Sequence, residues 1–202
     1  FGTVTYVYST SVDGEYTATA PTSAGTYYVK AVVANDSIGN FDGAESAPVS
    51  FTIEKAAATI TGLNESYVFT YVNNYYVVTG IGRSHNETSL VYEVNGVVCD
   101  SIRVIDAGVY TVKVTLPESA NYKKATATST IIVNKANNTD TVNTNQNATY
   151  LDKLSTLVLP ESEIGTWSWK LADENTTVGN AGTNIFVAVF TPSTGNYNER
   201  EV

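Results

Sequence analysis

One short pattern, written three times, constrains this chain more than any other feature. Its clearest copy is Asp106-Ala107-Gly108-Val109-Tyr110-Thr111-Val112-Lys113-Val114. An upstream copy reads Ala24-Gly25-Thr26-Tyr27-Tyr28-Val29-Lys30-Ala31, and a looser one reads Ala181-Gly182-Thr183-Asn184-Ile185-Phe186-Val187-Ala188. An acidic or small residue and a Gly open a turn. In the first two copies a Tyr follows two residues later, and a β-rich run begins. Each copy is trailed by an Asn-aromatic pair: Asn40-Phe41, Asn121-Tyr122 and Asn196-Tyr197. The Gly-to-Asn separations are 15, 13 and 14 residues, and the glycines themselves are 83 and 74 residues apart. Two anchors holding near-constant separation three times mark a repeat architecture. At these periods each repeat is the size of a small domain.

Composition points the same way. The chain has 202 residues, of which 43% are hydrophobic, so real cores can form. Val, Thr and Tyr favour strands, and no window of a dozen residues carries a 3.6-residue apolar period. Only 15% of residues are charged, with hydroxyl and amide side chains in their place, and the formal charge is −9. That balance argues against nucleic acid, which rewards Lys and Arg clusters. It also disfavours adsorption to anionic lipid. One Cys excludes an internal disulfide. No stretch is long and apolar enough to span a membrane as a helix.

Three modules are expected, at 1–55, 56–135 and 136–202. The turn Asp13-Gly14 and the breaker Pro21 punctuate the first. The second carries a Tyr/Val-rich run at 67–79, broken at Asn73-Asn74. It also carries the strongest local signal, Val91-Tyr92-Glu93-Val94-Asn95-Gly96-Val97-Val98-Cys99. Asn-Gly between two apolar runs reads as a type I′ hairpin. That register opposes Val94 to Val97 and Tyr92 to Cys99, on one face. In the third module Trp167-Ser168-Trp169-Lys170-Leu171 alternates as a strand with both Trp and Leu171 on one face. The Asn/Thr-rich tract 137–147 is an early strand or a looser joint. Gly25 has only 24 residues before it, whereas Gly108 has 51 counted from Ala57. The first module is thus expected to lack about 25 N-terminal residues if both share one topology. The third is expected to lack its last strand.

The segment Asp106-Ala107-Gly108-Val109-Tyr110-Thr111-Val112 resembles the turn entering strand F of immunoglobulin-like sandwiches, where the Tyr hydroxyl bonds back to the turn backbone. Val29 and Val112 stand where antibody domains place a Cys, and Asn184 stands where a Tyr is expected. More narrowly, the chain resembles the bacterial Ig-like and MBG-type repeats of large cell-surface adhesins. The matching stretches are Phe1-Gly2-Thr3-Val4-Thr5-Tyr6 with 21–32, then 106–114 with Asn121-Tyr122-Lys123-Lys124-Ala125. Leu159-Pro160, Trp167-Ser168-Trp169, Val178-Gly179, Phe190-Thr191-Pro192 and Asn196-Tyr197 complete them. The resemblance implies an all-β fold of tandem immunoglobulin-like β-sandwich modules in an elongated array. It implies an extracellular, cell-surface setting and a non-catalytic role.

The residues that could carry chemistry have plainer readings. Cys99 as a nucleophile needs a base, and His85 alone is available; the hairpin register makes Cys99 a small core residue. His85 has neither a second His nor a spaced Cys to share a metal, and reads as an exposed loop residue. Lys30 and Lys113 recur at one position, which raises an intramolecular isopeptide crosslink, but strand alternation turns both outward. No catalytic, cofactor-binding or metal site is expected. Trp167 and Trp169 are core residues or an aromatic platform for sugar, and with Tyr75 and Tyr76 they are the candidate ligand contacts. Six Asn-x-Ser/Thr sequons are present, at Asn35, Asn64, Asn86, Asn137, Asn147 and Asn175.

These readings lead to a structural stalk or spacer segment of a surface adhesin or fibre. Its partners would be neighbouring modules of the same chain and, through self-assembly, other copies of it. The alternative is a module that binds a host glycan or protein. An enzyme is not expected.

Overall fold

The computed structural model describes residues 3–202. Phe1 and Gly2, which open one stretch of the family resemblance, lie outside the described residues. The fold is all-β: strands, one 3-10 turn at Leu154–Thr156, and no α-helix among the described residues. None of its elements is a helix long and apolar enough to cross a membrane. Contacts gather the chain into two compact units. The first holds residues up to Gly62 with Ile81–Val91 and Val114–Ala127; the second holds Leu63–Gly80, Tyr92–Lys113 and Thr128–Val202. Residues 56–135, expected as one module, contribute to both.

In the first unit a four-stranded antiparallel sheet is centred on Gly25–Val33. Val4–Ser9 pairs along one edge, and Val49–Ile53 and Ala44–Glu45 share the other. The register places Tyr6 opposite Ala31, Tyr8 opposite Val29, and Tyr27 opposite Phe51. Paired residues share a face, so Val4, Tyr6, Tyr8, Tyr27, Val29, Val49 and Phe51 make one continuous apolar surface. Phe51 ties it together, edge-on to Tyr8 at 6.2 Å and tilted against Tyr27 at 5.8 Å. Val4, Tyr6 and Val49 remain exposed, and no apolar residue ahead of Tyr71 is buried among those described. Lys30 and Tyr28 lie on the opposite face, as alternation requires. Lys30 there pairs with Glu45 at 3.6 Å and sits 4.4 Å over the Tyr16 ring. A short pair, Ile60–Thr61 with Gly82–Arg83, also lies in this unit, as do Val114–Leu116 and Ala125–Ala127, which include fully buried Val114 and Leu116.

The second unit is better filled. It holds most residues of a larger sheet, whose strands are ordered Val97–Cys99, Val91–Val94, Gly108–Leu116, Ala125–Asn134 and Ser66–Thr70, the last joining in parallel. The first strand pair is the expected hairpin. Asn95 and Gly96 take φ of 49° and 79°, both left-handed as a type I′ turn requires. Val97 pairs with Val94 and Cys99 with Tyr92. Cys99 is half-buried, its thiol 3.7 Å from the Tyr92 carbonyl. A second pair, Tyr76–Val78 with Ile102–Val104, supplies buried Ile102 and Val104. Val112, Ile131 and Val133 are buried from the larger sheet.

The same unit contains a three-stranded antiparallel sheet of Gly165–Trp169, Ala188–Pro192 and Arg200–Glu201. Phe190, fully buried, is central, and Leu154, Val178 and Ala188 are buried in the same unit. One expectation fails here, and one of two alternatives is excluded. Leu171 does not share the Trp face: the strand ends at Trp169, and Leu171 adopts φ 57° in the following turn, 97% exposed. The tract 137–147 is not a strand. Its side chains replace the ladder, as when the Gln146 amide accepts from Val158 N–H and donates to Val158 C=O, both at 2.8 Å.

Gly165 shows how tightly the small core is closed. A Cβ there would meet the Thr191 carbonyl and the Phe190 ring, the latter at 2.5 Å. Gly165 is also paired with Pro192, so the backbone has little room to retreat. Gly165→Ala is expected to cost about 1–3 kcal/mol, the usual penalty of overpacking, read from the denaturant midpoint. Gly195→Ala, with nothing within 4 Å of its Cβ position, is the control; equal midpoints for the two variants would refute this packing.

Candidate functional site: a recurring asparagine clamp

The recurring turn builds the same hydrogen bond in all three of its copies. Tyr27 hydroxyl donates to Ser23 C=O at 2.9 Å, and Tyr110 hydroxyl donates to Asp106 C=O at 2.8 Å. In the third copy the Asn184 side-chain amide donates to Asn180 C=O, also at 2.8 Å. A different side chain thus reaches the carbonyl four residues back. The glycine explains the spacing in the tyrosine corners. Each ring folds back over its Gly, and a Cβ on Gly25 would touch the Tyr27 ring at 3.4 Å. Burial, then the nearby Asp106 charge, pushes the Tyr110 hydroxyl above the ordinary tyrosine range. It therefore stays a donor at neutral pH.

Each tyrosine corner leaves the N–H of its Ala pointing out of the turn. An Asn from the next Asn-aromatic pair takes it. Ala24 N–H donates to Asn121 Oδ1 at 2.8 Å, and Ala107 N–H donates to Asn196 Oδ1 at 2.7 Å. The first contact lies wholly within the first unit and the second wholly within the second. Around each Asn the same backbone frame recurs. Ala56 N–H donates to Asn121 C=O and Lys123 N–H to Ala56 C=O, both at 2.9 Å. Ala136 N–H donates to Asn196 C=O at 2.9 Å and Asn198 N–H to Ala136 C=O at 2.8 Å. These form two parallel bridges, Ala56 with Tyr122 and Ala136 with Tyr197.

The supports differ in detail. Asn121 donates its side-chain amide to Glu87 at 2.9 Å, while Asn196 donates its own to Asp106 at 2.9 Å. The Asn121 side-chain bond is the main reason the Glu87 carboxyl is held below its ordinary value. Tyr122 stacks flat on His85 at 4.0 Å, whereas Tyr197 meets Tyr71 edge-on at 5.4 Å. His85 is thus a buried residue, 7% exposed, and not the exposed loop histidine expected. The loop assignment holds, but the ring of Tyr122 covers it. Lys55, at the end of the first segment, pairs with Glu118 and donates to Ser119 C=O at 2.8 Å.

The candidate ligand contacts are placed as follows. Trp167 and Trp169 are half-buried on the three-stranded sheet. Trp167 is fully engaged: its indole N–H donates to Asp140 at 3.0 Å, its ring lies 5.5 Å from Phe190, and Arg200 sits 5.7 Å over it. Arg200 also donates to Asp140 C=O at 2.8 Å, and Asn138 donates to the Asp140 carboxylate at 2.7 Å. This cluster fastens tract 137–147 to the sheet. Trp169 meets Phe186 edge-on and borders an open cavity of about 800 Å³ lined by 142–148 and 178–186. Tyr75 and Tyr76 belong to the other part of the unit, beside Ile102–Val104. Tyr75 is exposed under Arg103 at 5.1 Å, and Tyr76 stacks on Phe69 at 4.0 Å. The four side chains therefore sit on two different sheets and do not converge. Lys113 is half-exposed and ion-paired with Glu93 at 2.9 Å.

Spacing alone found the Asn-aromatic pairs but not what they do. Their partners lie 97 and 89 residues away, in the preceding copy of the turn, and spacing within one copy cannot reveal that. Compared with family models, curated proteins and solved structures, the chain matches none of them.

Asn196 is buried, so removing it should be felt. Asn196→Ala strands the Ala107 N–H and is expected to cost about 1–3 kcal/mol in chemical denaturation. Asn196→Asp keeps the acceptor but sets a second carboxylate against Asp106. Its deficit is expected to shrink with added salt, which screens the repulsion between the two carboxylates; a salt-independent deficit would contradict the contact. Asp140 gives a pH test. Asn138, then Trp167, hold its carboxyl below the ordinary value in the folded chain. Its stabilisation is therefore complete above the unfolded value of about 3.9 and is lost as pH falls through the lower folded one. Trp167 fluorescence should titrate below about pH 4, and Asp140→Asn should abolish that step.

Proposed function

We propose that this chain is a non-catalytic structural spacer, a stretch of stalk in an extracellular adhesin or fibre at a cell surface. On this reading it consists of tandem immunoglobulin-like β-sandwich modules at 1–55, 56–135 and 136–202, arrayed lengthwise. Its main partners are its own neighbouring modules. The observation that carries the proposal is the clamp. The same Asn oxygen takes the same Ala N–H twice, framed each time by the same pair of backbone bonds. A chain selected to bind or transform a ligand needs one convergent site. A chain selected for reach needs the same joint made again and again, stiff enough to transmit orientation.

The chemistry of the joint suits that role. Neutral amide bonds are not screened by salt as surface ion pairs are. One parallel bridge beside each Asn removes the slack that a free linker would leave.

Small-angle scattering at high dilution tests the proposal. A compact chain of 202 residues has a radius of gyration of about 17 Å. The expected value is well above this, with a long tail in the distance distribution. A radius near the compact value would refute the spacer reading.

A further inference from the structure

The two clamps share a frame but not a support, and the difference is a histidine. The chain's single histidine is His85. It is 7% exposed and lies flat against Tyr122, the aromatic neighbour of Asn121, at 4.0 Å. Glu87 N–H donates to its Nδ1 at 3.2 Å. A backbone N–H can only donate, so Nδ1 is the acceptor and the neutral ring carries its proton on Nε2. Nε2 is buried with no partner among the described residues. Glu87 makes a second set of bonds with its carboxylate, which accepts from Asn121 N–H at 3.2 Å and from the Asn121 side-chain amide at 2.9 Å. Asn121 is the residue that takes the Ala24 N–H. Glu87 therefore joins the histidine to the clamp, and every contact in this relay lies in the first unit.

We propose that His85 is a proton-operated latch on the first clamp: a second proton on its ring frees the Asn121 side chain and with it the Ala24 N–H. The proton must go to Nδ1, the nitrogen that carries none in the neutral ring. There it opposes Glu87 N–H, donor against donor, and that bond is lost. The ring also becomes a buried cation, which needs a counter-charge. The acidic group whose charge acts on His85 is Glu87. The other charged groups on the surrounding segments are occupied or turned to solvent. Lys55 and Glu118 pair with each other, Arg83 is held by Asn86 and by Thr88 C=O, and Lys123 and Lys124 are exposed. Tyr122 covers the ring with a π face that favours a cation but carries no charge. Glu87 answers the new charge by turning its carboxylate from Asn121 toward the ring. Asn121 then loses the bond that keeps its Oδ1 aimed at Ala24. The second clamp has no such latch: Asn196 donates to Asp106, and Tyr197 meets Tyr71. The inference rests on the clamp geometry and is independent of the spacer reading.

NMR on the 202-residue chain from about pH 8 to about pH 5, the range in which histidine changes charge, reads each step separately. The His85 ring signals are expected to titrate. The Ala24 amide signal is expected to move with the same midpoint and to lose protection against solvent exchange, after correction for the intrinsic pH dependence of exchange. The Ala107 amide, in the clamp without a histidine, is the internal control and is expected to stay in place. His85→Gln cannot take up a proton and is expected to leave the Ala24 signal flat. Glu87→Gln keeps the backbone donor and an acceptor for Asn121 but has no charge to offer the ring, and the Ala24 step is expected to shrink. An Ala24 signal that stays fixed while His85 titrates would overturn the proposal. So would a ring that stays neutral down to about pH 5, or an Ala107 amide that moves with the same midpoint. These three outcomes are read on the parent chain, so the test does not depend on how well a variant folds. A step that survives His85→Gln, or one undiminished in Glu87→Gln, would overturn it as well.

Discussion

The structure depends on how one backbone N–H is satisfied. A tight turn with its tyrosine folded over a glycine leaves the amide of the residue before that glycine pointing outward. In a sheet that amide would find a ladder partner; at a corner it finds none. A buried donor left unpaired costs on the order of 1–3 kcal/mol, whereas a made bond returns only about 0.5–1.5 kcal/mol. The asymmetry is what matters. The Asn adds little bulk stability, but any arrangement that displaces it carries the larger penalty. Ala107 and Asn196 are 89 residues apart. One local backbone requirement thus fixes the placement of two distant stretches.

The same economy explains the composition. Charged residues are few, and side-chain amides do work that charges or strands perform elsewhere. Asn184 takes the place of a tyrosine hydroxyl. Gln146 imitates a β-bridge to Val158. Asn138 and the Asp140 carboxylate hold the tract beside Trp167. Amides carry both donor and acceptor on one short side chain. They can satisfy a turn in either direction without the desolvation cost of a buried ion. An abundance of Asn and Thr is therefore a structural signature here as much as a loop signature.

Much of this was legible in the sequence where the code is local. The Asn95-Gly96 hairpin, its register, and the placement of Lys30 on the face opposite Tyr27 and Val29 follow from turn chemistry and two-residue alternation. So does the all-β character. What was not legible depends on contacts distant in sequence. His85 looked exposed because a polar loop surrounds it, and only the ring of Tyr122 buries it. Leu171 looked like a core residue because alternation was carried one step past Trp169, into a turn with positive φ. The tract 137–147 stayed open between a strand and a looser joint because composition cannot say that a glutamine will stand in for a backbone ladder. The Asn-aromatic pair was visible as a pattern and silent as chemistry.

Burial is uneven along the chain, and the unevenness gives the clamp its importance. Before Tyr71 no apolar residue is buried among those described, and the first unit's fully buried apolar side chains, Val114 and Leu116, come from later in the chain, while the second unit closes around Phe190, Ile102, Ile131 and Val112. A sheet with one exposed apolar face gains little from hydrophobic packing alone. Its order must come from directional bonds at its edges and ends. The first corner supplies these through Asn121, Ala56 and Lys55. Directional bonds specify orientation where area does not, because a bond misplaced by an ångström is lost while a hydrophobic contact is merely weakened. Under the proposed spacer role, the polar joint is the part that selection can least relax.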